Sequence, residues 1–205
     1  MIILVAIASI LTNTLGILVF LFILWMRLKE DFASEIIFKL GFNTLIGICL
    51  GVLISNKFLR PYFLWFGFMG GLIGMLTTVL KFKSKFFEIF EAFIVSVLPW
   101  MGFVFLNDSV MHYSLSSFLG FIAILVLIFV SYYLSAHYKN FNWYKSGKIG
   151  FTGITILGLI FIIRFMLAIF GISVLSFVSN FEAVISGVGF LICLSLLVYL
   201  TKTKE

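Results

Sequence analysis

The chain has 205 residues, of which 63% are apolar and 11% charged, and its mean hydropathy is +1.25. This balance excludes a water-soluble globular domain, because one core cannot bury so much apolar surface. The net charge of +6 does not indicate nucleic acid as a partner, since the basic residues cluster in short connections between apolar runs, where they report membrane topology.

The apolar runs predict an all-α, polytopic helical bundle in a membrane. Lipid cannot satisfy backbone N–H and C=O groups, so a spanning chain forms either helices or a closed barrel. Barrel strands alternate apolar and polar residues, and the run 121–130 does not alternate. A helix needs about 20 apolar residues to cross the bilayer. Seven segments of a single transmembrane domain, 1–205, meet or approach that length: 2–26, 35–56, 62–80, 88–107, 115–136, 149–171 and 182–201.

The basic residues predict the orientation of these spans, because cytoplasmic connections carry an excess of lysine and arginine. Eleven of them lie at alternate connections and in the C-terminal tail: Arg27, Lys29, Lys39, Lys81, Lys83, Lys85, Lys139, Lys145, Lys148, Lys202 and Lys204. The opposite side has only Lys57 and Arg60. We therefore expect the N-terminus outside and the C-terminus in the cytoplasm. The first ten residues lack the basic segment and cleavage site of a signal peptide, so we expect them in a retained span.

Small residues in the third span predict close packing of helices. Gly67 and Gly71 form one pair four residues apart, and Gly70 and Gly74 form another. Such pairs allow two helix backbones to approach each other closely in a membrane. In the fourth span, Pro99 removes a backbone hydrogen bond and is expected to kink the helix.

The polar residues of the fourth span lie near its two ends. Glu88 and Glu91 fall at the cytoplasmic start, where we interpret them as residues that complement the dipole of their own helix. Asn107, Asp108 and His112 cluster at the outer end and in the connection that follows. His112 is either a solvated loop residue or a base that acts near neutral pH.

Arg164 is the most informative polar residue, because it lies inside the sixth span. At about 15 residues beyond the cytoplasmic end of its helix it is expected roughly 23 Å along the axis, in the outer part of the bilayer. A guanidinium there needs a partner or a wet cavity. One interpretation is an arginine that reaches the outer interface and pairs with Asp108 or Glu182. The other is an anion site suited to a phospholipid phosphate.

No metal or cofactor site is expected. Cys49 and Cys193 lie in apolar runs without metal-type spacing, so we expect two small buried side chains and no disulfide. The sequence has no Ser-His-Asp set, phosphate-binding loop, zinc motif or nucleotide fingerprint. The tryptophans are expected mostly near the membrane interfaces.

Several segments resemble the bacterial prolipoprotein diacylglyceryl transferases. Residues 68–74, Phe-Met-Gly-Gly-Leu-Ile-Gly, resemble the His-Gly-Gly-Leu-Ile-Gly stretch of that family. Residues 100–107, Trp-Met-Gly-Phe-Val-Phe-Leu-Asn, stand where the family has Gly-Arg-x-Gly-Asn-Phe-x-Asn-x-Glu. Lys-Ser-Gly-Lys at 145–148 precedes a helix with Arg-Phe-Met-Leu-Ala at 164–168, which is similar to the Arg-Phe-x-x-Glu stretch of the family.

The resemblance implies a multi-pass protein of the bacterial plasma membrane with seven spans and an outer N-terminus. The activity it implies is transfer of diacylglyceryl from phosphatidylglycerol to the cysteine of a lipobox prolipoprotein. Arg164, Asn107, Gly70 and Gly71 would then hold the lipid headgroup, as the positions that match the family's motifs.

Four polar positions of the family's motifs are missing. Met69 replaces the motif histidine and Ala168 replaces the last glutamate. No arginine occurs between positions 60 and 164, and no glutamate between positions 91 and 182, so the signature arginine and glutamate have no counterpart. These losses favour a degenerate relative without the classical activity.

Three hypotheses about function follow. The first is an active transferase in which Arg164 binds phosphate and Asp108 or His112 assists the thiol. The second is a noncatalytic relative that binds lipid or acts as a scaffold for another protein. The third is an unrelated bundle such as a small transporter, for which we would expect inverted repeats or polar residues at the midplane, and neither is found.

Overall fold

The computed structural model describes residues 2–141, 144, 146, 149–171 and 179–202. Over these residues the chain is helical, without β-strands, and seven helices are long and apolar enough to cross a membrane. The all-α fold expected from the sequence is therefore confirmed. Lys145, Lys148 and Lys204, on which part of the orientation argument depends, lie outside the described residues.

The helices follow the predicted spans with small differences at their ends. They are α1 (Ile2–Leu28), α2 (Ser34–Phe58), α3 (Phe63–Phe82), α4 (Phe86–His112), α5 (Leu115–His137), α6 (Phe151–Ile169) and α7 (Ser179–Lys202). Short 3₁₀ turns at Arg60–Tyr62 and Tyr138–Asn140 precede α3 and follow α5. The largest difference is at α4, which continues five residues beyond the predicted end and so includes Asp108 and His112. Pro99 lies within this helix.

Helix α4 is the centre of the bundle and packs against α1, α3, α5 and α6. Its first half contributes buried side chains on every face, among them Ile89, Phe93 and Leu98. The other helices keep one apolar face exposed, as expected for a protein whose outer surface contacts lipid.

Helices α2 and α3 pack through glycine. A Cβ atom added to Gly47 would lie 2.1 Å from the carbonyl oxygen of Gly70, and one added to Gly70 would lie 2.1 Å from that of Gly47. Gly51 and Gly74 make equally close contacts one turn away, with the backbones of Phe66 and Asn43. The backbones approach so closely that no side chain fits between them, which bears out the packing role predicted for Gly70 and Gly74.

Glu91 connects several helices at the end of the bundle that carries most of the basic residues. Its carboxylate accepts a hydrogen bond from the backbone N–H of Gly150 at 2.8 Å, just before α6 begins, and lies 3.8 Å from Nη1 of Arg27. Nη2 of Arg27 donates to Ser135 Oγ at 3.0 Å. Glu91 therefore stabilises the start of α6 rather than that of its own helix, and the network connects α1, α4, α5 and α6. Glu88 accepts from Lys85 within its own first turn.

Candidate functional site

A cavity of about 630 Å³ lies between α4 and the α2–α3 hairpin, with α1 and α6 at its sides. On α4 the lining side chains recur every three or four residues, which is one face of a helix: Phe93, Val97, Trp100, Val104 and Asp108. The cavity thus extends from the middle of the bundle to the end of α4. Its volume is within the range of about 300–1,000 Å³ that is usual for small-molecule sites.

The lining changes from apolar to polar toward one end of the cavity. On α4 it ends with Asn107, Asp108 and His112, and on α6 the apolar Leu157 and Phe161 are followed by Arg164. Helix α1 runs antiparallel to α4, because Thr12 meets Asn107 while Arg27 meets Glu91, and its lining residue at this end is Asn13. We call this region, defined by Asn13, Asn107, Asp108, His112 and Arg164, the polar end.

Arg164 is held at the polar end by a buried carboxylate. Its Nε donates to Glu182 Oε1 at 2.5 Å, and Glu182 is 0% exposed. The same carboxylate accepts from Trp65 Nε1 and from Ser186 Oγ, each at 3.0 Å. The guanidinium lies 5.4 Å from the Trp65 ring, which stacks on Phe161. Of the two partners expected for Arg164, the structure selects Glu182, and the network joins α3, α6 and α7.

Asp108 organises the last turn of α4. His112 Nδ1 is 2.9 Å from Asp108 Oδ1, and Ser117 Oγ at the start of α5 donates to Asp108 Oδ2. His112 lies in the helix rather than in a loop, and its side chain is 72% exposed. The carboxylate lies between the hydroxyl and the imidazole, so this is not a Ser-His-Asp relay, in which the imidazole is central. The arrangement orients the imidazole at the polar end of the cavity.

Asn107 connects the polar end to α1. Its Oδ1 accepts from Thr12 Oγ1 at 3.4 Å, and its Nδ2 donates to Ser9 Oγ at 3.5 Å. Both donor–acceptor distances are long, so these hydrogen bonds position α1 but hold the Asn107 amide only weakly.

Gly70 and Gly71, the two glycines expected at the site, do not line the cavity. Gly70 packs on Gly47, and a Cβ atom on Gly71 would lie 2.8 Å from Ile48 and 3.2 Å from Phe93. On this stretch of α3 the lining is contributed by Gly67 and Phe68. The structure therefore brings Arg164, Asn107, Asp108 and His112 to one cavity and places Gly70 and Gly71 in helix packing.

Sequence reasoning missed Trp65 as a partner of Glu182 and Cys49 as a lining residue. Cys49 is exposed on the cavity side of α2, so the expectation of two buried cysteines is wrong for Cys49 and correct for Cys193. The signal for this contact is that a tryptophan N–H in an apolar setting needs an acceptor, and Glu182 is one of few carboxylates in the chain.

Comparison of the chain with protein-family models, curated proteins and solved structures finds no match.

Proposed function

We propose that this protein is a multi-pass membrane protein that binds one membrane amphiphile in the cavity, with the apolar tail toward Phe93 and the headgroup at the polar end. The observation that carries this proposal is the change from apolar to polar lining, in the same direction on α1, α4 and α6. A water-soluble ligand would leave the apolar half unused, and a pure hydrocarbon would cover charged side chains of the polar end with apolar groups, which is costly.

The proposal fits a noncatalytic relative of the prolipoprotein diacylglyceryl transferases in the bacterial plasma membrane. The predicted orientation places the polar end at the outer leaflet, where that family takes phosphatidylglycerol. Loss of the transfer reaction is supported by the pairing of Arg164 with Glu182, because the negative charge that develops on a departing phosphate would compete with a buried carboxylate. Among the described residues that line the cavity, Arg164 is the only lysine or arginine, so none of them substitutes for the missing motif arginine.

An active transferase is the second candidate, and the Asp108–His112 pair favours it. An imidazole oriented by a carboxylate is a usual general base, so His112 would take the proton of the lipobox cysteine as its sulfur attacks the glycerol carbon of the lipid. The bond between that carbon and the phosphoester oxygen breaks, and glycerol phosphate leaves toward Arg164.

Lipid retention tests the binding function. The wild type, Val104→Phe and Val126→Phe are each purified in detergent. The number of phospholipids that remain bound to each protein is then measured by native mass spectrometry. Val104 lines the cavity, whereas Val126 lies on the exposed face of α5 and serves as the control for added volume. We expect one retained phospholipid in the wild type and in Val126→Phe, and its loss in Val104→Phe. Equal retention by all three proteins contradicts the proposal and leaves a scaffold or transporter role.

A transfer assay separates the two candidates. Labelled phosphatidylglycerol and a lipobox peptide are supplied to protein that retains lipid, with His112→Gln alongside. We expect no transfer. Transfer that His112→Gln abolishes would replace the noncatalytic assignment with the enzyme.

A further inference from the structure

The charges at the polar end do not favour an anionic ligand. The Arg164 guanidinium is matched by the Glu182 carboxylate, and Asp108 adds a second carboxylate, which accepts from Ser117 and lies beside the His112 imidazole. Lys57 and Arg60 lie near this end of the bundle, but both are exposed and neither lines the cavity. Their charges are therefore screened by water and salt, while those inside the cavity are screened less.

Among the described residues, Arg164 and Asp108 are the acid and base side chains that line the cavity besides His112, and they lie at different depths. Gly153 of α6 packs beside Glu91 of α4. Because both helices run in the same direction, Arg164 is about level with Gly102 of α4. Asp108 is about six residues beyond that level, roughly 9 Å nearer to the end of the helix. A ligand that reaches from the apolar half of the cavity meets the cation first and the carboxylate second.

We propose that the bound amphiphile is a zwitterionic phospholipid with a terminal ammonium group, its phosphate at Arg164 and its ammonium at Asp108. This inference rests on the amphiphile-binding function proposed above. In such a lipid the phosphate adjoins the glycerol and the ammonium lies farther from the tails, which is the order of Arg164 and Asp108 in the cavity. An ammonium beside Asp108 balances its charge, whereas the glycerol headgroup of phosphatidylglycerol leaves a net negative charge on both partners.

A competition experiment between two lipids tests the assignment. Phosphatidylethanolamine and phosphatidylglycerol with identical acyl chains are mixed in equal amounts in nanodiscs, and the lipid retained by the extracted protein is identified by native mass spectrometry. The variants are Asp108→Asn, which keeps the shape of the side chain, and Asp31→Asn, which removes the same charge from the exposed connection between α1 and α2. Glycerophosphoethanolamine, the headgroup without its tails, is added as a competitor in a separate arm.

We expect the wild type and Asp31→Asn to retain phosphatidylethanolamine, and Asp108→Asn to lose about tenfold in its preference for that lipid over phosphatidylglycerol. A wild-type preference for phosphatidylglycerol, or the same preference in Asp108→Asn and the wild type, overturns the assignment. Displacement of the lipid by glycerophosphoethanolamine would also overturn the assignment, since the cavity would then recognise a soluble phosphoester rather than a lipid. The two outcomes that concern lipid preference leave lipid binding intact, whereas retention of lipid by Val104→Phe rejects the binding function itself.

Discussion

Glu182 is the residue on which the Arg164 network depends. A fully buried carboxylate is costly unless it is paired and hydrogen-bonded, and Glu182 accepts from Arg164, Trp65 and Ser186. Removal of one partner of a buried ion pair costs more than the pair itself contributes, because the other charge is left without compensation. The exposed pair of Glu35 and Lys39 on α2 offers the opposite case, since water solvates both groups.

We expect Glu182→Gln to lower the free energy of unfolding by about 3 kcal/mol, because Arg164 then keeps its charge without the carboxylate. Glu35→Gln is the control, with an expected loss much smaller than that of Glu182→Gln, because solvent already screens the exposed pair. Unfolding of the purified protein in mixed micelles, titrated with a denaturing detergent, gives both values. Equal losses in the two variants would show that the Arg164–Glu182 pair is no more important than a surface pair.

The α2–α3 hairpin is the element whose packing is most tightly constrained. Gly70 and Gly74 contact the backbone of α2, whereas Gly67 and Gly71 contact its side chains, Val52 and Ile48. The two pairs found in the sequence thus belong to different faces of one helix. The pair that meets backbone has the stricter steric requirement for glycine, because backbone atoms cannot move aside as side chains can.

Gly70→Ala is expected to destabilise the protein by about 2 kcal/mol, because the added methyl group forces the backbones of α2 and α3 apart. Gly102→Ala is the matched control on α4, where the nearest atom to the new Cβ would be at 3.4 Å, an ordinary contact. That control is expected to be neutral or slightly stabilising, since alanine is the better helix former. The same detergent titration measures both variants. A neutral Gly70→Ala would contradict the close approach of the two helices.

At the scale of the whole molecule, the network of Glu91 and that of Glu182 lie at opposite ends of the bundle. Each joins helices that are distant in the chain through one buried carboxylate. The cavity lies next to the Glu182 network, so its place in the bilayer, and the leaflet that supplies its ligand, depends on the orientation of the bundle.

The orientation is tested with two cysteines placed at equivalent positions. Tyr113 and Lys83 both have positive φ values, 50° and 49°, at the ends of α4 and α3, so Tyr113→Cys and Lys83→Cys disturb similar backbones. In a background with Cys49→Ala and Cys193→Ala, intact cells are treated with a membrane-impermeant maleimide. We expect labelling of Tyr113→Cys alone, because the basic connections face the cytoplasm. Labelling of Lys83→Cys alone would reverse the topology.

The class and layout of the fold can be read from the amino-acid sequence. Apolar runs of bilayer length specify helices one by one, because every backbone hydrogen bond of a spanning helix is internal to its own segment. The seven helices therefore fall where composition predicts them. The need of Arg164 for a partner followed from the same reasoning, since a buried guanidinium is costly in any arrangement of the helices.

Which residues form the site depends on how the helices pack against one another. The choice of Glu182 over Asp108 as the partner of Arg164, and the addition of Trp65, depend on how α3, α6 and α7 are placed around each other. The sequence could not separate Gly67, beside the cavity, from Gly70, against α2, because neighbouring faces of a helix in lipid are nearly equal in polarity. Packing between helices depends on shape, and shape is a property of pairs of helices rather than of any one segment.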